Sequence, residues 1–218
     1  MNGFEKYINK HQVSKGENFV LLAGGRLNIF DKPEFFQKYL ESFPSFSEKI
    51  NARGIVFKVP REKLYPLILD IDVDLSREVA LDEGLYIKLA NYILDEFTNV
   101  TKATDGVEVV LSRRPGSCYK KKKGLYRAGF HMYILGKFTL QQSVALREQV
   151  LKNIDIKGHF TDAWGEAVIS KSSEKILDPA LSKRSNGVLL LGCRKPQTTV
   201  RDIFYLLFYF VLTNQSYF

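Results

Sequence analysis

The segment Leu67–Ser76 reads "LILDIDVDLS", with Asp70, Asp72 and Asp74 alternating with Ile71 and Val73. Side chains on a β-strand alternate between faces, so the three acids share one face and the apolar pair takes the other. Successive acids then stand ~7 Å apart, twice the rise per residue. Left unpaired, they repel one another and resist ionisation. A hard divalent cation relieves that repulsion, and oxygen donors of this kind suit Mg²⁺ or Mn²⁺. An exposed edge strand would also carry such a pattern, but the lead-in "YPLIL" has the composition of a buried one.

Other residues could complete a site. In "GFHMYI", alternation puts His131 and Tyr133 on one side and Phe130, Met132 and Ile134 on the other. A strand histidine is more often a hydrogen-bonded structural residue than a ligand. Asp178 follows an apolar pair in "KILDPALSKR", and Arg194 and Lys195 close the apolar run "LLLGCRKP". Between Arg113 and Arg127 there are seven basic residues (Arg113, Arg114, Lys120, Lys121, Lys122, Lys123 and Arg127) and no acid. The whole chain carries a formal net charge of +8, with a sequence pI near 9.3. A solvated loop and a clamp on nucleic-acid phosphates both fit this segment. Two cysteines and three histidines lack zinc-ligand spacing, so no zinc is expected, and nothing suggests a secreted disulfide framework.

These residues need a scaffold. "NFVLLAGGRLNIF" reads as two short strands turning at Gly24-Gly25, and "KPEFFQKYLESF" as a helix beginning near Pro33. The acidic strand runs from about Tyr65 to Asp74. A helix capped at Ser76 follows, with a stripe of Leu85, Leu89, Ile93 and Phe97. "GVEVVLSRR", "AGFHMYILG" and "VLLLGCRKP" read as strands; Thr139 caps a helix carrying "LQQSVALREQVLKNI", and "FTDAWGEAVIS" is a further helix. The order of strands and helices is not a regular βαβ alternation, which points to a mixed α/β, or α+β, domain.

At 218 residues with 45% hydrophobic content, the chain can bury one sizeable core, and no repeat or linker divides it: residues 1–218 are expected to form a single domain. The N-terminus lacks the apolar core of a signal peptide. The ten-residue run "IFYLLFYFVL" is too short for a membrane helix, which needs ~20. It is expected to be a buried element or a contact surface, and the chain to be a fragment of a longer protein.

In chain order these features resemble the archaeo-eukaryotic primase superfamily, and most of all the primase domain of viral primase-helicases from large cytoplasmic DNA viruses of poxvirus and asfarvirus type. The family's two acids one residue apart are matched by Asp70 and Asp72. Its Lys-x-Ser-x-His motif is matched by Arg127-Ala-Gly-Phe-His131, its apolar-Asp motif by Leu177-Asp178, and a later basic motif by Lys195. The likeness spans about Gly24 to Lys195.

It implies an archaeo-eukaryotic primase catalytic fold with an RRM-like sheet and an N-terminal α/β portion. It also implies template-directed nucleotidyl transfer by two divalent ions, Mg²⁺ or Mn²⁺, held by Asp70, Asp72 and Asp178. Arg127, Gly129, His131, Arg184, Arg194 and Lys195 would line the nucleotide, and Arg113, Arg114 and Lys120–Lys123 the nucleic acid. The implied partners are a single-stranded DNA template and primer, NTP or dNTP, and a C-terminal helicase domain; no membrane is involved, and a cytoplasmic viral replication site is expected. Asp74 reads as a supporting or solvated group.

Three departures bear on nucleotide contacts: Gly129 stands where the family usually has serine, Arg127 where it has lysine, and Leu189 where an arginine is common. Two rivals remain. A haloacid-dehalogenase-type phosphatase shares the apolar strand and Asp-x-Asp, but commonly has threonine or serine where this chain has Asp74. A non-catalytic nucleic-acid-binding module accounts for the charge and leaves the acids without a role.

Overall fold

The computed structural model describes residues 3–15, 18–21, 26–29, 32–41, 55–58, 63–102, 107–113, 117–120, 124–183, 188–189 and 205–212. They form two compact units, Met1–Val59 with Asn186–Phe204, and Pro60–Ser185 with Tyr205–Phe218.

In the first unit, helix α1 (Gly3–Lys10) precedes strands β1 (Phe19–Leu21) and β2 (Arg26–Leu27), then helix α2 (Lys32–Glu41) and strand β3 (Ile55–Phe57). β1 pairs antiparallel with both β2 and β3, as expected for a hairpin; the Gly24-Gly25 turn itself lies outside the described residues. A fourth strand, β9 (Val188–Leu189), pairs with β3 and is the described part of the expected "VLLLGCRKP" strand. Aromatic rings fill the interior: Phe35 lies 4.5 Å from Phe19 between ring centres, and Phe57 lies 5.0 Å from Phe19. Each large apolar side chain so buried contributes roughly 1.5–3 kcal/mol.

The second unit carries the acidic strand, β4 (Tyr65–Leu75). Helix α3 (Glu83–Thr101), β5 (Val107–Arg113), β6 (Cys118–Lys120) and β7 (Leu125–Phe138) follow. Next come α4 (Leu140–Asn153), α5 (Ile156–Trp164), α6 (Ser173–Ile176), β8 (Leu177–Asp178) and α7 (Pro179–Ser182), and finally β10 (Tyr205–Leu212). The strand order is β10-β5-β7-β4-β8 with β6 beside β7, and every pairing is antiparallel. The apolar run near the C-terminus thus adds a strand to β5.

Alternation divides this sheet. Leu67, Leu69, Ile71, Val73 and Leu75 of β4, with Ala128, Phe130, Met132 and Ile134 of β7, are all buried in the core. They meet Tyr86, Leu89, Ala90, Ile93, Leu94 and Phe97 of α3, Leu146 and Val150 of α4, and Phe160 of α5. The helices therefore cover the apolar face, and the acids fall on the other. The architecture is α+β.

Two helix boundaries differ from the sequence expectation. Ser76 does not cap α3, because its backbone N–H is spent on the Ala167 carbonyl at 2.9 Å, which keeps the chain extended. Asp82 is the cap instead, its side chain accepting from the Gly84 N–H at 2.8 Å. The helix expected over "FTDAWGEAVIS" begins earlier, at Ile156 behind Asp155, and stops at Trp164, where Gly165 takes a positive φ of 58°. Thr139 does cap α4, in a reciprocal capping box with Gln142.

Candidate active site

Residues directly opposite each other in an antiparallel pair share a face. The register sets Asp70 opposite His131 of β7 on one side and opposite Asp178 of β8 on the other. Ser112 of β5 in turn faces His131. One row across four strands thus reads Asp178, Asp70, His131, Ser112. The next two rows along β4 pair Asp72 with Gly129 and Asp74 with Arg127. Residues more than a hundred positions apart in sequence are brought together by strand pairing alone.

Each acid has a defined neighbour. His131 Nε2 lies 3.3 Å from Asp70 Oδ1, and its Nδ1 lies 3.1 Å from the Tyr133 hydroxyl. Arg127 spans the other two: Nη1 donates to Asp72 Oδ2 at 3.1 Å, and Nε and Nη2 reach Asp74 Oδ1 at 2.7 and 2.6 Å. Asp178 accepts the Ala180 N–H at 2.7 Å, which orients its carboxylate. Burial disfavours the charge on Arg127, but the carboxylates of Asp72 and Asp74 outweigh it and push its pKa up, so the guanidinium keeps its proton. Burial pushes the Tyr133 phenol far above its ordinary range; the Ser112 hydroxyl works against the shift and the charge of Asp70 adds to it.

Gly129 faces Asp72 across the β4–β7 pair and has no room for a side chain. A Cβ built there would lie 2.0 Å from the Ile71 carbonyl oxygen and 2.9 Å from Asp72 Oδ1. The strand pairing beside Asp72 therefore requires glycine.

Among the described residues, no three His, Cys, Asp or Glu side chains converge as metal ligands in the arrangement present. The partners just named explain this: Asp72 and Asp74 turn toward Arg127, Asp70 toward His131, and Asp178 toward its own helix. The donor set nevertheless fits a hard cation, since three carboxylates occupy adjacent positions on one face. Asp70 and Asp178 face each other, a like-charge placement that is unfavourable without a counter-charge.

The remaining expected site residues fall elsewhere. Arg113 pairs with Phe130 on the helix-covered face and ion-pairs with Glu83 at the start of α3, away from the acids. Lys120 ends β6, opposite Leu125. Arg114, Lys121, Lys122, Lys123, Arg184, Arg194 and Lys195 lie outside the described residues. A groove of about 460 Å³ lined by Lys88, Tyr92, Asp95, Asn153, His159 and Asp162 belongs to the helical layer and contains none of the motif residues.

Two contributors were not singled out in the sequence. Ser170 supports the site indirectly, its Oγ accepting the Asp74 backbone N–H at 2.9 Å. Arg147 of α4, 6% exposed, places Nη2 at 3.0 Å and Nε at 3.3 Å from the Leu177 carbonyl, one residue before Asp178. In the helix pattern Arg147 is an ordinary charged residue; only the neighbouring strand shows what it holds.

A mixed helix and antiparallel-sheet domain, with paired acids, a histidine and an arginine gathered on the uncovered side of the helical packing, has the make-up of an archaeo-eukaryotic primase domain. The family model described as the C962R protein N-terminal AEP domain matches residues 18–206, most of the chain, and the chain belongs to that family. No curated protein matches it. Among the described residues, no helix is long and apolar enough to cross a membrane.

Proposed function

We propose that the chain is a primase or primase-polymerase domain that joins NTP or dNTP on a single-stranded DNA template, with or without a primer. The observation that carries this reading is the register setting Asp70 between His131 and Asp178, with Asp72 and Arg127 one and two rows on. Family membership supports nucleotidyl transfer in general.

In this reading Asp70, Asp72 and Asp178 hold Mg²⁺ or Mn²⁺ through carboxylate oxygens. Ions held there would supply the Lewis acidity that activates a primer 3′-hydroxyl and the positive charge that offsets a departing pyrophosphate. Arg127, held protonated between two acids, directs its donors at phosphate oxygens, and the His131 N–H adds a second donor there. Gly129 keeps the strands close enough for these groups to share one small surface. Lys120–Lys123 and Arg114 meet the nucleic-acid backbone, a contact that weakens with salt and ignores sequence. A helicase domain following in the full-length protein, and action at a viral replication site in the cytoplasm, belong to the same proposal.

The test is nucleotide incorporation on single-stranded DNA, primed and unprimed, with Mg²⁺ or Mn²⁺. Product is expected in at least one metal and is lost in the Asp70→Ala, Asp72→Ala double variant. No product in either metal, or product indifferent to the double variant, overturns the reading.

A further inference from the structure

Beyond α5 the chain returns to the acidic strand, and residues 167–170 run extended beside the end of β4. The Ser76 N–H donates to the Ala167 carbonyl at 2.9 Å and the Ile169 N–H to the Asp74 carbonyl at 3.0 Å, with Leu75 and Val168 paired between them. The Asp74 N–H donates to Ser170 Oγ at 2.9 Å, which closes the contact on the far side of Ile169. The backbone of Ile169 is therefore tied to β4 from both directions.

Directly opposite residues of an antiparallel pair share a face. Val168 packs on the core together with Leu75, so the next pair along, Ile169 and Asp74, falls on the face of the acids. The row there reads Ile169, Asp74, Arg127. Asp72 is the diagonal neighbour of Ile169, a spacing of ~7–8 Å. Ile169 is 45% exposed, whereas the apolar residues of β4 on the opposite face, Leu67, Leu69, Ile71, Val73 and Leu75, are at most 1% exposed.

An isolated exposed isoleucine is ordinary on a protein surface; the position of this one is not. Its neighbours on the face are ionic, and an aliphatic side chain offers nothing to a cation or a phosphate. It offers dispersion contact and exclusion of water to an apolar surface. Binding sites combine a few placed polar groups with apolar walls, and a nucleotide carries both kinds of surface, charged phosphates and a base with an apolar face. Two inter-strand spacings, about 9.5 Å, separate Ile169 from Arg127, a gap that a nucleotide bridges from phosphate to base.

We propose that Ile169 is the apolar seat for a nucleobase whose phosphates lie toward Arg127. The class of ligand rests on the function proposed above; the placement of Ile169 on the acid face does not. Two sources supply such a base, the incoming nucleotide and the DNA strand, and the face they present is the same.

Equilibrium binding to the full 218-residue chain reads the proposal without turnover. One arm uses dATP with Mn²⁺ and no DNA, the other a single-stranded oligothymidine with no nucleotide. Each is paired with a base-free counterpart, deoxyribose triphosphate or an abasic oligonucleotide of equal length. Ile169→Thr keeps the β-branched shape and removes apolar carbon. It is expected to weaken one base-bearing ligand about four- to tenfold, the worth of one or two covered carbons, and to leave its base-free counterpart unchanged. Ile169→Phe, which adds a ring for stacking, should tighten the same ligand. The arm in which both changes fall identifies the source of the base.

Unchanged affinity of Ile169→Thr for both base-bearing ligands overturns the proposal, as does an equal loss for the base-free counterparts. If the threonine variant does not fold, Ile169→Phe decides alone, and binding no tighter than wild type overturns the proposal. A wild-type chain that binds none of the four ligands removes the proposed function and this seat with it. A wild-type chain that binds them while both variants behave alike removes the role of Ile169 and leaves the function standing.

Discussion

Arg127 and Asp74, 53 residues apart in sequence, face each other across β7 and β4, with Nε and Nη2 of the arginine both within 2.7 Å of one carboxylate oxygen. The remaining nitrogen of the guanidinium reaches Asp72. A lysine could not hold both acids in this way, since it lacks a planar set of donors. The arginine that stands where the family motif has lysine thus engages Asp74 as well as Asp72.

Asp74→Asn should keep the shape of this contact and remove half of its charge. Asp74 and Arg127 are partly buried, so a loss of about 1 kcal/mol is expected, or a fall of about 2–4 °C in Tm for a chain of this size. If Arg127 serves the nucleotide, KM should rise several-fold with little change in kcat. Asp72→Asn should instead remove activity by a factor of about 100 or more. Equal losses from the two variants would place Asp74 with the metal ligands rather than behind Arg127.

Asp178 and Asp70 face each other as like charges on neighbouring strands. Asp178→Asn keeps an acceptor for the Ala180 N–H and removes the repulsion, so the metal-free variant should be more stable than the wild type by roughly 0.2–1 kcal/mol. Added Mn²⁺ at about a hundred times its dissociation constant should stabilise the wild type by about 2.7 kcal/mol and the variant far less. Thermal unfolding with chelator and with Mn²⁺ reads both effects. An equal response of the two proteins to Mn²⁺ would remove Asp178 from the ligand set.

How much of this was legible in the sequence follows from what each feature depends on. The shared face of Asp70 and Asp72 needs only the alternation of one strand, and the capping box at Thr139 needs only four consecutive residues. The start of α3 was misplaced because Ser76 looks like a cap locally, while its N–H is taken by Ala167 from another part of the chain. Strand register is a property of two segments together, so the facing of Asp70 by His131 and Asp178 followed from the family resemblance and not from spacing. Asp74 and Arg113 show the limit most clearly. Asp74 reads in sequence as a supporting or solvated group and is held by Arg127, whereas Arg113 reads as part of a basic patch and is turned toward Glu83.

Gly129 gives a prediction opposite to what the family pattern suggests. Serine at this position would restore the family's motif, yet its Cβ would fall 2.0 Å from the Ile71 carbonyl oxygen. Backbone cannot yield as a flexible side chain does, so β7 would have to move off β4 beside Asp72. Gly129→Ser should therefore destabilise the chain by about 1–3 kcal/mol or more and lower activity, read from the urea midpoint at unchanged slope. A serine variant with wild-type stability and higher activity would contradict the strand pairing at this point.

Arg147 acts on the site from the helical side without touching its surface. Its two nitrogens are bonded to the buried Leu177 carbonyl, and β8 has only Leu177 and Asp178 to hold it against β4. Arg147→Met keeps most of the apolar stem and removes the donors, leaving that carbonyl unsatisfied at an expected loss of about 1–3 kcal/mol. The loss should be felt first at β8, since a two-residue strand has little else to retain it. Hydrogen exchange should therefore accelerate at Leu177 and Asp178 more than at Met132 or Phe130 in β7, and nucleotide incorporation should fall although every acid is present. If β8 stays as protected as in the wild type while the whole chain loses stability, Arg147 supports the core generally and Asp178 is held in place by its Ala180 N–H contact and the β4 pairing alone.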